Sequence, residues 1–125
     1  MDATLDHTMM RVEDLEESLD WYATHFDYEE QGRWEADTFT NVFLGPADGH
    51  EAGALLELTY NHDGRSYTLG DAWGHLAVRC SDLQEAWATL MDREATEYRD
   101  PESCNDRYAF TTDPDGHEIE IVTRN

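Results

Sequence analysis

Apolar and polar positions alternate between residues 4 and 12, which reads as a strand with His7, Met9 and Arg11 on one face. Asp14 then stands three positions before Glu17, a pairing that caps a helix start, and Leu15, Leu19, Tyr22 and Phe26 follow at helical spacing. The pattern returns to short strands over roughly 28–35, 39–44 and 54–60, with the breakers Gly45-Pro46 and Asp48-Gly49 predicting a hairpin-like connection before the last of them. The first half therefore reads βαβββ. The second half begins with a strand from Gly74 to Cys80 and a helix capped by Asp82 that carries Leu83, Trp87, Leu90 and Met91. A short strand near Glu97, another over 107–112, the turn Asp113-Pro-Asp-Gly116 and a final strand over 118–123 complete a second βαβββ. The polar run from Asn61 to Gly74 is predicted to be a loop.

The two halves also match residue by residue. His7-Thr-Met-Met-Arg11 has its echo in His75-Leu-Ala-Val-Arg79 at an offset of 68 residues (75 − 7), and the match continues at Asp14 with Asp82, Leu15 with Leu83 and Glu17 with Glu85. A fold repeated internally is the simplest source of such agreement. At 125 residues the chain is long enough for one domain, whereas each half alone would be marginal, at about 60 residues. The expectation is an α+β protein in which 4–60 and 74–123 are paired modules of a single domain spanning 1–125.

Composition narrows the class. Twenty-nine acidic residues face eight basic ones, all arginine, for a net charge of −21. Disorder is excluded by four Phe, six Tyr and four Trp, which supply a core. What remains is a carboxylate-covered protein suited to concentrated salt, where at about 1 M the screening length shrinks to roughly 3 Å and self-repulsion is suppressed. Such a surface makes nucleic acid and anionic membranes poor partners. No apolar run is long enough for a membrane span, no secretory leader is evident, and Cys80 and Cys104 form no CxxC pair, so a cytoplasmic location with reduced thiols is expected.

Four side chains occupy matching places in the repeat. His7 and His75 lie on the first strand of each half, and Glu57 and Glu120 lie on the last, inside Leu56-Glu57-Leu58 and Ile119-Glu120-Ile121. If first and last strands are neighbours, each half offers one imidazole and one carboxylate. Glu57 sits in a strand apolar on both faces, and a buried carboxylate is costly unless it meets a cation, a donor or a metal. Two neutral imidazoles and two carboxylates would hold a divalent ion with no net charge and leave positions open for water or substrate, a donor set suited to Ni, Co, Mn, Fe or Zn. Taken singly, a strand histidine is most often structural, and a Glu between apolar neighbours is most often solvated; the repeat joins the four. His25, His50, His62 and His117 fall on a helix or in turns, where solvated surface is the default, and Asp113-Pro-Asp-Gly116 reads as a turn before any calcium site. Arg11 shares a face with His7 and could bind an anionic part of a substrate, although Arg79 at the matching place also allows a role in the fold.

The segments His7-Thr-Met-Met-Arg-Val, Leu56-Glu-Leu-Thr-Tyr-Asn61, Gly74-His75 and Asp113-Pro-Asp-Gly-His-Glu-Ile-Glu120 resemble glyoxalase I (lactoylglutathione lyase) of the vicinal oxygen chelate superfamily. That resemblance implies a homodimer of paired βαβββ modules, with curved sheets around metal sites assembled at the subunit interface. It implies His7, Glu57, His75 and Glu120 as metal ligands, Glu120 as principal base, Glu57 as a group able to act on the opposite face, and Arg11 and Asn61 as holders of the thiol cofactor. The substrate implied is the hemithioacetal of methylglyoxal and a small thiol, isomerised to an S-lactoyl thioester. Histidine at the first ligand position and the short chain resemble the branch that prefers nickel or cobalt, with zinc or manganese as alternatives. Where some members carry lysines for glutathione, this chain has Ser103-Cys-Asn-Asp-Arg107, which leaves the choice between glutathione and another thiol such as γ-glutamylcysteine. Epimerase or dioxygenase chemistry on a related site, and a metal-free module that binds a small molecule, are the competing classes.

Overall fold

A computed structural model of the chain describes residues 1–48 and 55–123. The chain divides into two compact units, Met1–Thr68 and Leu69–Asn125. The first runs β1 (His7–Arg11), α1 (Leu15–Phe26), β2 (Tyr28–Glu35), β3 (Phe39–Pro46) and β4 (Leu55–Asn61). The second runs β5 (His75–Arg79), α2 (Leu83–Asp92), a 3-10 turn at Glu102–Cys104, β6 (Tyr108–Thr112) and β7 (Glu118–Val122). The loop predicted between the halves carries no regular element.

In the first unit the sheet order is β1-β4-β3-β2, and β1 runs parallel to β4, so the first and last strands of the module are neighbours as the repeat required. Pairing of Met10 with Leu58, Val42 with Leu58 and Leu44 with Leu56 stacks these side chains on one face. They are buried there with Val12, Leu15 and Tyr22, and α1 packs on the sheet. The helix starts as expected: the Asp14 carboxylate accepts the Glu17 amide at 3.0 Å, a cap that typically contributes about 1 kcal/mol.

The second unit repeats the arrangement with one strand fewer, in the order β5-β7-β6, and β5 again runs parallel to the last strand. Ile119, Ile121 and Ala109 form the buried face with Leu83, Trp87 and Leu90 of α2, and the Asp82 carboxylate caps α2 by accepting the Glu85 amide at 3.0 Å.

Three expectations are corrected. The strand near Glu97 shrinks to a single bridge between Arg99 and Phe110; Pro101 follows two residues later and has no N–H to continue the ladder. Gly45-Pro46 is not a turn but the end of β3, paired with Glu29 and Tyr28. Pairing of β3 with β4 stops at Leu44 and Leu56, so the proline lies where a missing donor is tolerated. The first strand begins at His7 rather than at residue 4. Gly49, His50 and Ala54 lie outside the described residues.

Candidate metal centre

The face of the first sheet opposite α1 carries the predicted chemistry. Alternation places His7, Met9 and Arg11 of β1 beside Glu57, Thr59 and Asn61 of β4, with Asn41 and Phe43 of β3 on the far side. His7 Nε2 stands 3.0 Å from Glu57 Oε1. Glu57 is only 8% exposed, so its carboxylate is withdrawn from water with an imidazole as its near neighbour. The other ring nitrogen, Nδ1, lies 2.8 Å from Asp6 Oδ2. This hydrogen bond, helped by the charge of Glu57 and opposed by burial, holds the His7 imidazole above the ordinary histidine range.

The second unit builds the same pair from the same strands. His75 Nε2 stands 3.4 Å from Glu120 Oε1, and Glu120 is half-buried rather than solvated. A third member, which the sequence did not disclose, accompanies each pair. Phe43 is the cross-strand partner of Glu57 and meets the His7 ring edge-on, with centroids 5.3 Å apart and planes at 89°. Phe110 is the cross-strand partner of Glu120 and meets His75 in the same way, at 5.1 Å and 86°. Their offset is 67 residues (110 − 43), one short of the histidine repeat, so a fixed-offset comparison passes over them.

Arg11 is exposed and forms no ion pair among the described residues. Asn61 Nδ2 donates to the Tyr67 hydroxyl at 2.6 Å. Arg99 places its guanidinium 5.5 Å from the centre of the Phe110 ring, beside the second pair. In the sequence Arg99 is only one of eight arginines, next to the predicted strand near Glu97, and carries no signal of a site.

The remaining histidines separate. His62 Nε2 bonds Thr40 Oγ1 at 2.8 Å in the loop after β4, and His25 Nδ1 lies 2.9 Å from the Trp21 carbonyl. His117 is a correction, because it is buried rather than solvated. Its Nδ1 lies 2.8 Å from Asp113 Oδ2, and Asp113 Oδ1 accepts the amides of His117 and Asp115 at 2.8 and 3.0 Å. Asp113, Asp115 and His117 are the described residues whose ligand atoms group within 4.8 Å. With the oxygens of Asp113 engaged by the backbone and the imidazole, the group is explained as a lock on the turn that delivers β7.

The donor chemistry of the two pairs fits a divalent ion. Each pair offers one imidazole nitrogen and one carboxylate of low exposure, and the buried charge of Glu57 is the kind that a cation offsets.

A βαβββ unit and a βαββ unit, each with a histidine on its first strand facing a glutamate on its last, define a class of internally duplicated α+β scaffold. Residues 4–121 match the family described as the Glyoxalase/Bleomycin resistance protein/Dioxygenase superfamily, and the chain belongs to it. A lactoylglutathione lyase of Neisseria meningitidis serogroup A is 35% identical over 123 residues, covering 94% of this chain and 88% of the relative. One from Haemophilus influenzae is 33% identical over 124 residues, covering 93% and 89%. Among solved structures, the trypanothione-dependent glyoxalase I of Leishmania major superposes with a TM-score of 0.82 at 34% identity, covering 98% of this chain and 87% of that one.

Proposed function

We propose that the protein is a lactoylglutathione lyase-type enzyme that isomerises the hemithioacetal of methylglyoxal and a small thiol to an S-lactoyl thioester. The observation that carries this reading is the repeated pair: His7 with Glu57 and His75 with Glu120, each from the first and last strand of its unit. Relatives at 33% to 35% identity bearing the name lactoylglutathione lyase support it.

Each unit supplies two donors, half of a set for one ion. His7, Glu57, His75 and Glu120 together would hold a divalent ion, nickel or cobalt first and zinc or manganese as alternatives. The two pairs that share an ion would be joined across the interface of a homodimer. A bound ion supplies positive charge that offsets the negative charge developing on the substrate oxygens. The proton steps belong to the chain. Glu120 removes the proton from the carbon bearing sulfur and returns it to the neighbouring carbon, and Glu57 would be able to act on the opposite face.

Arg11 and Asn61 lie on the Glu57 face and would hold the thiol, with Arg99 a further cation for its carboxylates. The thiol need not be glutathione, since a relative at 34% identity is described as trypanothione-dependent. The net charge of −21 supports a salt-rich cytoplasm as the setting. No helix of the described residues is long and apolar enough to cross a membrane.

The test is to strip the protein of metal, reconstitute it with Ni, Co or Zn in high salt, and supply methylglyoxal with glutathione or γ-glutamylcysteine. Thioester formation with one ion and one thiol supports the reading. Uptake of metal without thioester from either thiol would favour another activity of the superfamily.

A further inference from the structure

The two histidine-glutamate pairs share one arrangement but differ in the residue that precedes the histidine. Both histidines sit at the start of a strand parallel to the glutamate strand, both face the carboxylate through Nε2, and both meet a phenylalanine edge-on. His7 also has Asp6 Oδ2 at 2.8 Å from Nδ1. The residue in the equivalent place before His75 is Gly74, which has no side chain, and Nδ1 of His75 makes no hydrogen bond among the described residues.

We infer that Asp6 is a positioning residue for the metal centre: it fixes the His7 ring with Nε2 turned toward Glu57 and strengthens that nitrogen as a donor, so that the first pair anchors the ion more firmly than the second. This rests on His7 being a ligand.

The physical case has three parts. An imidazole that donates Nδ1–H to a carboxylate is held in one tautomer and one ring orientation, and its other nitrogen becomes the more basic donor; outer-shell carboxylates act in this way on metal-binding histidines. Fold stability, moreover, gives no reason for the contact. Asp6 precedes the first paired residue of β1 and its side chain is 79% exposed, and an exposed pair of this kind contributes little to folding. The repeat supplies an internal control, since the module folds with glycine at the matching position.

The test uses Co(II) as the probe, with affinity measured by chelator competition on the full-length protein in high salt. Four forms are compared: wild type, Asp6→Asn, Asp2→Asn as a control for charge alone, and Gly74→Asp in the Asp6→Asn background. A Cβ at position 74 would meet nothing within 4 Å, so the new carboxylate has room. Asp6→Asn is expected to weaken Co(II) binding by about ten- to a hundredfold. Asp2→Asn should leave it unchanged, and Gly74→Asp should recover part of the loss. In the metal-free protein, histidine 15N shifts of His7 should differ between wild type and Asp6→Asn, and at alkaline pH, where the His7 proton no longer contributes, both should share one unfolding midpoint. Equal Co(II) affinity in wild type and Asp6→Asn, or equal losses in Asp6→Asn and Asp2→Asn, would overturn the inference. A wild type that takes up no Co(II) would instead remove the ligand assignment itself, a separate and recognisable failure.

Discussion

Glu57 Oε1 lies 3.0 Å from His7 Nε2 across two parallel strands that are 50 residues apart in sequence (57 − 7). Bringing a glutamate that is 8% exposed against an imidazole serves a metal ion better than it serves folding, because buried ion pairs are often matched by apolar residues of similar size. Replacing His7 or His75 with Ala should therefore lower divalent-ion affinity by more than about a hundredfold, beyond the cost of an outer-shell change. Unfolding of the metal-free protein should shift far less. Chelator competition and chemical denaturation of the same samples check both halves of this expectation.

The Asp6 hydrogen bond sets a pH dependence. His7 binds its proton more tightly in the folded metal-free protein than in the unfolded chain. The stability it contributes is thus fully present below the ordinary imidazole value of about 6.5 and is lost as pH rises through the folded value. Wild type and Asp6→Asn should differ most on the acid side of that window, while carboxylates remain ionised, and should converge at alkaline pH. Denaturation of both proteins across pH, with NMR titration of His7, measures it.

At the turn before β7, Asp113 and His117 form a buried pair with side chains 0% and 7% exposed. Removing one partner strands the other, and losses of about 3 to 5 kcal/mol are typical for a buried pair. Asp113→Ala should approach that range, because two backbone amides also lose their acceptor. His117→Ala should cost less, since those amides still engage Asp113. Urea denaturation of the two variants decides the order.

Net charge sets a salt response. With −21 on 125 residues, mutual repulsion of surface carboxylates opposes the folded state until counterions screen it. The unfolding midpoint should rise between dilute buffer and about 1 M KCl. An unchanged midpoint would mean that the acidic surface is neutral to stability.

Much of the fold could be read from the chain, for identifiable reasons. Both helices announced themselves through an Asp cap three residues before a Glu and an apolar stripe, and those caps form. Glu57 and Glu120 were legible because strand alternation put them opposite the core while the repeat tied each to a histidine. What escaped depended on pairing rather than on local pattern. Pro46 reads as a breaker, yet it is accommodated where β3 has lost its β4 neighbour. Arg99 reads as part of a strand, yet it makes only one bridge before Pro101. Phe43 and Phe110 acquire meaning only when the register sets each opposite a glutamate. His117 looks like a solvated turn residue until the Asp113 carboxylate gathers its donors. Asp6 looks like one more surface acid among many, and only its 2.8 Å approach to His7 distinguishes it.

Turnover of Glu120→Gln, loaded with the ion that best activates the wild type, tests the account most directly. Wild type is expected to convert the methylglyoxal hemithioacetal to the S-lactoyl thioester. Glu120→Gln, with its metal content verified, is expected to lose about two to four orders of magnitude in kcat, the range a positioned general base contributes. Full turnover by the metal-loaded variant would contradict the assignment of Glu120 as the base.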